Sequence, residues 1–217
     1  MKPRFSNQRN HALTRFEVVV VIAILALLFA CFLLNVVAYH NRPLRVECVN
    51  CLKQTGLSFR LWQGDHAGKY PMQVSATNGG AMELVANGNI AACFQVMSNE
   101  MNTPRHLYFP ADTRRVWATN FSTLSNSKIS YFVNPDAVEA YPQMVLDGDD
   151  NLTVGGVQVR SGILNLWTNA AVGWTKERHH GGGNIGMADG SVQQLTTNGL
   201  QQTLQRTGVA TNRLAIP

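Results

Sequence analysis

Charged residues are scarce in this chain, where Asp, Glu, Lys and Arg make up 14% of 217 residues. Amides, hydroxyls and glycine take their place at the surface, a composition common in extracytoplasmic proteins. The sequence also lacks an HExxH motif, a P-loop and a nucleophile elbow, so the catalytic classes that depend on them are disfavoured. We therefore expect no enzymatic activity.

Cysteine is also rare, and the four cysteines do not form a recognisable framework. Cys31 falls within an apolar run, whereas Cys48 and Cys51 form a C-V-N-C motif. No second CxxC accompanies it, so a four-thiolate zinc site is not supported. An oxidising compartment would allow a disulfide from Cys93 to either Cys48 or Cys51, with the third thiol left over.

A concentrated basic patch is missing as well, although the net charge is +5. Lys2, Arg4 and Arg9 all precede Ala12, and Arg114–Arg115 is the one adjacent basic pair. Such scattering disfavours nucleic acid as a partner, because phosphate binding needs clustered cations.

Long apolar runs, by contrast, are present. Val18 to Leu34 is unbroken, and after Asn35 the run continues to Tyr39. A helix of this length spans about 33 Å and matches a bilayer core of roughly 30 Å. Signal peptides have shorter cores followed by a small-residue cleavage site, which is not seen after Leu34, so the segment is predicted to be a retained anchor. Pro43 is predicted to kink the helix or to end its first section.

The basic residues before this span indicate a cytoplasmic amino terminus, with the bulk of the chain outside the cytoplasm. Glu17 stands directly before the apolar run. A carboxylate at the bilayer centre costs roughly 2.5–3.5 kcal/mol, and a partner cation removes much of that cost. The alternative is that Glu17 is an ordinary solvated flank residue.

The phrase A-L-T-R-F-E before a membrane-length apolar helix resembles the prepilin signal of type IV pilins and type II secretion pseudopilins. The resemblance implies cleavage by a prepilin peptidase between Ala12 and Leu13, and N-methylation of Leu13. Glu17 then becomes the fifth mature residue, able to pair with the new α-amine of its own chain or of a neighbour. Ala12 stands where the family has Gly, and Arg15 where it has Leu.

After Pro43, apolar residues recur at helical spacing at Val46, Val49, Leu52, Leu57 and Leu61, which predicts an amphipathic helix ended near Gly68 and Pro71. We expect Leu57, Leu61 and Trp62 to be core residues.

Further elements are predicted beyond this helix. A short helix is expected at 81–86 and another across 196–208, with Asn198 as its N-cap and Gly208 as its stop. Short strands are expected at 128–133, 143–146, 157–160 and 162–167. The tail after residue 210 offers no chemistry.

The resulting fold prediction is α+β, with a long N-terminal helix packed on a small antiparallel sheet. The first half of the helix spans the membrane and the second half is amphipathic. The predicted divisions are a basic leader (1–12), a transmembrane helix (13–40), an amphipathic helix continuing the spine (41–70) and a periplasmic pilin-like head (71–217).

An acidic segment, L-D-G-D-D-N, offers Asp147, Asp149 and Asp150 as oxygen ligands for calcium. The segment lacks the EF-hand pattern. The alternative interpretation is a solvated turn, in which case no cofactor is expected.

His179, nine residues, then Asp189–Gly190 resembles the processing-associated element of prepilin-type proteins from Verrucomicrobia and Planctomycetes. In these proteins Cys48 also has a counterpart. Physically the segment predicts a hairpin with its turn at Ala188–Gly190, pinned by a contact between His179 and Asp189. A metal site of His179, His180 and Asp189, or an acid–base pair, is the alternative.

Together these features predict a pseudopilin-like or minor pilin-like subunit of a type II secretion or type IV pilus-like fibre. It would be a single-pass inner-membrane protein. Its expected partners are a prepilin peptidase, other pilins, an assembly platform and the lipid bilayer. The alternatives are a tethered periplasmic binding domain outside any fibre and a competence-type DNA-uptake pseudopilin.

Overall fold

The computed structural model of the chain describes residues 15–110 and 112–217, and of residues 34–45 it describes only the helical backbone. The protein is a mixture of helix and sheet, 43% helical and 21% strand, with antiparallel sheets. The predicted α+β class is therefore confirmed. The contacts divide the chain into two compact units, Met1–Pro43 and Leu44–Pro217, and each is described by itself.

The first helix, α1, runs from Arg15 to Asp65 and does not end at Pro43. Among the described residues, Arg15–Leu33 is the one helical segment long and apolar enough to cross a membrane. Its apolar side chains are exposed. The predicted leader and the first two residues of the predicted span lie outside the described residues.

The second unit contains four short helices after α1 and nine strands within its described residues. The helices are α2 Met82–Ala86, α3 Ile90–Val96, α4 Ser98–Met101 and α5 Thr197–Arg206. Single 3₁₀ turns occupy Pro71–Gln73, Ala76–Asn78, Pro104–Leu107, Phe121–Thr123 and Asn126–Lys128. The strands are β1 Tyr131–Val133, β2 Val145–Asp149, β3 Leu152–Val154, β4 Val157–Gln158, β5 Gly162–Trp167, β6 Val172–Trp174, β7 Gly182–Met187, β8 Val192–Thr196 and β9 Thr211–Ile216.

These strands form two antiparallel sheets. The larger has the order β5-β9-β1-β2-β7-β8, and the smaller has the order β4-β3-β6. In the larger sheet Tyr131 of β1 pairs with Asp149 of β2, and Gly148 of β2 pairs with Ile185 of β7. The predicted helix at 81–86 and strand at 162–167 are confirmed, and the other predicted strands are present with shifted bounds.

The larger sheet has a separate hydrophobic core on each of its two faces. On one face, α1 and the short helices pack over Tyr131, Val133, Leu146 and Ala215. On the other face, α5 and the smaller sheet pack over a second set of apolar side chains, of which Phe132 in β1 is one. The alternation along β1 therefore divides its side chains between two cores, as expected for a strand buried on both sides.

The buried face of α1 differs from the one that the apolar spacing predicted. Cys48, Leu52 and Phe59 are fully buried, whereas Leu57 and Leu61 are 57% and 51% exposed. The prediction that Leu57 and Leu61 are core residues is therefore wrong, although Trp62, at 2% exposed, is core. Counting only aliphatic positions concealed the face, because cysteine, aromatic, glycine and polar residues form most of it.

The carboxyl-terminal segment also corrects the sequence prediction. The N-cap of α5 is Thr196, whose hydroxyl accepts a hydrogen bond from the Gly199 backbone amide at 3.3 Å, and not Asn198. Gly208 follows the helix at φ +77°, as predicted for its stop. The tail then forms β9, which pairs with both β5 and β1 inside the larger sheet.

The corrected face of α1 predicts unequal effects of two substitutions on the same helix. Phe59 is fully buried and packs edge-on against Tyr70 and Phe94, so Phe59→Ala should lower the free energy of unfolding by about 3–5 kcal/mol. Leu57→Ala, the matched control, should change it by less than about 0.5 kcal/mol. Denaturant unfolding of the detergent-solubilised full chain, followed by tryptophan fluorescence, measures both. Equal losses would contradict this orientation of α1.

Candidate functional site

Four polar side chains from separate elements meet beneath α1. Cys48 comes from α1, Asp149 from the end of β2, His179 from the loop before β7, and Asn184 from β7 itself. One ligand atom each from Cys48, Asp149 and His179 lies within 4.8 Å of the other two. We call these four residues the Cys–Asp–His–Asn cluster.

The contacts within the cluster are close. The Cys48 thiol donates to Asp149 Oδ1 at 3.1 Å, and His179 Nε2 lies 3.3 Å from Asp149 Oδ2. Asn184 Nδ2 lies 2.9 Å from Asp149 Oδ2, 3.2 Å from Cys48 Sγ and 3.1 Å from His179 Nε2. Sulfur, nitrogen and oxygen therefore converge in a region from which solvent is largely excluded.

Local structure fixes each member of the cluster. Asp149 is held in the sheet, where its Oδ2 also accepts the backbone amide of Asn184 at 2.7 Å. His179 has φ +49°, an unusual value for a residue with a Cβ, and its ring lies against Phe109 with centroids 4.9 Å apart. Backbone strain of this kind persists only where surrounding contacts hold it.

Burial dominates the electrostatics of Cys48. It raises the pKa of the thiol far above its ordinary value, and the neighbouring Asp149 charge raises it further. Hydrogen bonds from Tyr131 and Asn184 oppose this shift by favouring the thiolate. The thiol is consequently protonated at neutral pH and acts as a donor to Asp149. A metal ion is the usual means of ionising such a thiol.

The three predicted calcium ligands are buried, with Asp147 and Asp149 fully enclosed and Asp150 at 4% exposed, so the solvated-turn interpretation is wrong. The structure does not bring the three carboxylates together as one ligand set among the described residues. Asp149 joins the Cys–Asp–His–Asn cluster, and Asp150 pairs with Arg178 at 2.8 Å. They diverge because strand geometry directs successive side chains to opposite faces.

Asp147 lies on the same strand face as Asp149. Burial, and then the Asp149 charge, raise the pKa of Asp147 to about 8, while the backbone amide of Gly186 lowers it. Neither oxygen makes a hydrogen bond of ordinary geometry within the described chain. A Cβ on Gly186 would lie 2.0 Å from Asp147 Oδ1, so any other residue at this position would force the carboxyl to move.

A separate group of charged side chains surrounds Asp112 and Asp150. Asp112 contacts Arg178, Arg114 and Arg115, and all three arginines also reach Asp150. Arg178, at 3% exposed, is fully compensated by these two carboxylates. This arrangement fixes the residue directly before His179.

The predicted hairpin at the His–Asp-Gly element is present, formed by β7 and β8 with its turn at Ala188–Gly190. Gly190 has φ +83°, the backbone conformation that glycine adopts without strain. The carboxylate that faces His179, however, is that of Asp149. Asp189 is exposed and accepts the Ser191 backbone amide at 2.8 Å.

The turn itself is attached to α1 and to the chain after it. The Arg60 guanidinium donates to the Asp189 carbonyl at 3.2 Å, and the Tyr70 hydroxyl donates to the Ala188 carbonyl at 2.9 Å. His180 lies beside His179 at φ +56° and is exposed. The structure therefore does not bring His179, His180 and Asp189 together as one metal-ligand set.

The predicted processing residues Ala12 and Leu13 lie outside the described residues. Glu17 lies in the first turn of α1. Cys48, Cys51 and Cys93 form no disulfide, so neither disulfide considered for Cys93 is present. Comparisons with protein-family models, with curated proteins and with solved structures find no match.

Sequence reasoning missed two members of the Cys–Asp–His–Asn cluster, Cys48 and Asn184. For Asp149 the sequence did offer a clue. It lies two residues after Asp147, and residues two apart in a strand point to the same face. No spacing along the chain relates Cys48 to residues about a hundred or more positions away. Their proximity follows from how α1 crosses the sheet.

The Asp112 cluster predicts how stability depends on pH. Burial alone would raise the pKa of Asp112, but Arg178 and the hydrogen bonds from Arg114 and Arg115 outweigh it and lower the pKa to about 2. A depressed folded-state pKa gives stability that is present above the unfolded value near 4 and is lost as pH falls to about 2. Between about pH 4 and pH 2, the free energy of unfolding of the wild type should fall by about 2 kcal/mol more than that of Asp112→Asn.

Unfolding of both proteins at several acidic pH values, in detergent, measures the difference. Asp136→Asn is the control, because the Asp136–Arg213 pair is about 40% exposed and should show little of the effect. Parallel stability curves for the wild type and Asp112→Asn would refute the assignment.

Proposed function

We propose that this chain is a pseudopilin-like or minor pilin-like subunit, cleaved and N-methylated at Leu13 by a prepilin peptidase. It acts by assembling into a type II secretion or type IV pilus-like fibre and carries out no catalysis. One observation carries the proposal: α1 bears Glu17 in its first turn, then a membrane-length apolar segment, then a segment packed on an antiparallel sheet. The remainder of the chain forms the head.

The position of Glu17 supports this role on energetic grounds. A carboxylate at the front of an apolar span is disfavoured in lipid unless a cation accompanies it. Cleavage before Leu13 creates an α-amine with a pKa near 8, which is charged at neutral pH. Pairing between Glu17 and a neighbouring subunit's amine would set the register between adjacent helices as they leave the membrane.

The outer surface of α1 in the second unit also supports assembly. Val46, Leu57 and Leu61 are each more than half exposed, while the opposite face of the helix is buried in the core. These three recur at intervals of eleven and four residues, which places them on one side of a helix. An apolar stripe that the head does not cover suits packing against the α1 of another subunit.

The orientation proposed for the chain is an amino terminus in the cytoplasm and a head in the periplasm. It rests on the basic residues that precede the span. The peptidase, the assembly platform and other pilins are then the partners, and the bilayer holds the subunit before assembly.

Processing can be tested directly in cells that contain or lack the prepilin peptidase. We expect the mature protein to begin at methylated Leu13 in the first case and the leader to remain in the second, which mass spectrometry of the amino-terminal peptide distinguishes. Ala12→Leu, which adds bulk before the scissile bond, is the uncleaved control. An identical amino terminus with and without the peptidase would contradict processing and favour a tethered periplasmic domain.

The register role of Glu17 predicts a defect in assembly that leaves membrane insertion intact. Glu17→Ala should still be recovered in the membrane fraction, because its span is more apolar, but should be lost from sheared fibres. Glu47→Ala is the matched control, since Glu47 is an exposed glutamate elsewhere on α1. Quantitative blotting of the fibre and membrane fractions measures both. Normal incorporation of Glu17→Ala would exclude this role.

A further inference from the structure

We infer that the Cys–Asp–His–Asn cluster is a binding site for one Zn²⁺-class transition-metal ion. Cys48 Sγ, Asp149 Oδ2 and His179 Nε2 are the three main ligands, and the Asn184 amide completes the coordination. The site lies wholly within the second unit and is independent of processing or fibre assembly.

The ligand atoms select the class of metal. Thiolate sulfur and imidazole nitrogen are preferred by Zn²⁺ and its neighbours, and an aspartate oxygen is an accepted third ligand. Calcium and magnesium instead take oxygen ligands throughout. The donor set of Cys48, His179 and Asp149 therefore favours Zn²⁺ over the calcium that the acidic segment alone suggested.

Four of the six distances among the proposed ligand atoms are close to the edges of a tetrahedral site. The Asn184 amide group lies 2.9, 3.2 and 3.1 Å from Asp149 Oδ2, Cys48 Sγ and His179 Nε2, and the last of these lies 3.3 Å from Asp149 Oδ2. A regular tetrahedron with edges of about 3.3 Å has its centre roughly 2 Å from each corner, which is the length of Zn–N and Zn–O bonds. Small adjustments at Cys48 would accommodate the longer Zn–S bond.

The hydrogen bonding of Asn184 points to the same conclusion. Its NH₂ group has two hydrogens, yet it lies within 3.2 Å of three heteroatoms that can accept them. A half-turn of the amide exchanges Nδ2 with Oδ1 and presents an oxygen at the fourth corner. A cation at the centre would then contact all four atoms at once.

Charge balance is also favourable. A divalent ion bound by the Cys48 thiolate, the Asp149 carboxylate and neutral His179 leaves a neutral buried site, so no uncompensated charge is enclosed. Binding breaks the Cys48 S–H bond, forms the metal–sulfur bond and releases the proton to solvent, with no change in oxidation state.

The site has a route to solvent. A cavity of about 330 Å³ is lined by His179, Asn184, the glycines at 181–183 and part of β8. His179 and Asn184 belong to both the cavity lining and the cluster, so the cavity borders the cluster at these two residues.

The bound ion would join three parts of the fold that are distant in sequence. Cys48 belongs to α1, Asp149 to β2 and His179 to the His–Asp-Gly element. A metal bridge among them would fasten the helix to the sheet and to the hairpin. As a metal ligand, His179 would hold these elements together through Asp149 and Cys48, and not through the predicted contact with Asp189.

Metal binding can be tested with the full-length protein in detergent, first stripped with a chelator and then titrated with Co²⁺. We expect one ion per chain and a near-ultraviolet thiolate-to-cobalt absorption, which Zn²⁺ then displaces. Zn²⁺ should also raise the melting temperature, and the chelator should reverse the rise. A folded wild-type protein without the thiolate absorption would overturn the proposal in favour of a cluster held by hydrogen bonds alone.

Matched variants assign the ligands. Cys48→Ser should abolish the thiolate absorption, whereas Cys51→Ser, one turn further along α1 and also buried, should retain it. His179→Gln should weaken binding by at least about a hundredfold, beyond the usual loss for residues that only orient ligands, whereas His180→Gln should not. Circular dichroism verifies that each variant is folded.

Because His179 lies in a loop, His179→Gln keeps the test informative if Cys48→Ser fails to fold. Absorption that survives in Cys48→Ser, or equal binding by the His179 and His180 variants, would refute the assignment. The assay requires neither peptidase nor fibre, so its failure and a failure of the pilin proposal are distinguishable.

Discussion

The packing of α1 on the larger sheet is the constraint on which the rest of the second unit depends. The helix covers a sheet face that carries carboxylates as well as apolar side chains. Phe59 and Leu52 fill the apolar part, and Cys48 reaches the buried Asp149. Burying an ionised carboxylate is costly unless donors or cations meet it. The thiol, the amide of Asn184 and the imidazole of His179 are present for that reason.

The buried ion pairs of Arg178 help to position the Cys–Asp–His–Asn cluster. Arg178 is enclosed between Asp112 and Asp150, so the backbone of the next residue is held in place. That residue is His179, whose backbone adopts a conformation unfavourable for a residue with a Cβ. The arginine cluster and the ring of Phe109 together hold the imidazole against Asp149. The loop before β7 is therefore held by side-chain contacts and not by regular secondary structure.

Two proposals use different parts of the same helix. The pilin-like role concerns its amino-terminal part, with Glu17 and the apolar span, and an outer stripe that the head leaves exposed. The metal site concerns its inner face at Cys48. Both depend on α1 presenting a buried side and an exposed side within the second unit, and the assignment of those sides came from the sheet beneath the helix.

The sequence alone determined the α+β class, the apolar span and the hairpin of the His–Asp-Gly element. Each of these depends on the spacing of apolar residues or on turn-forming residues that are close together in the chain. It did not determine which face of α1 is buried, since that face mixes cysteine, aromatic and polar residues and, among its described residues, has only one buried aliphatic residue, Leu52. Nor did it show that the tail is a strand inside the larger sheet, or that Asp147, Asp149 and Asp150 separate to different surroundings. Strand order, and with it the meeting of Cys48 with Asp149, His179 and Asn184, was decided by tertiary structure. The reason is physical: contacts between residues a hundred positions apart arise from packing between elements, and no local spacing encodes them.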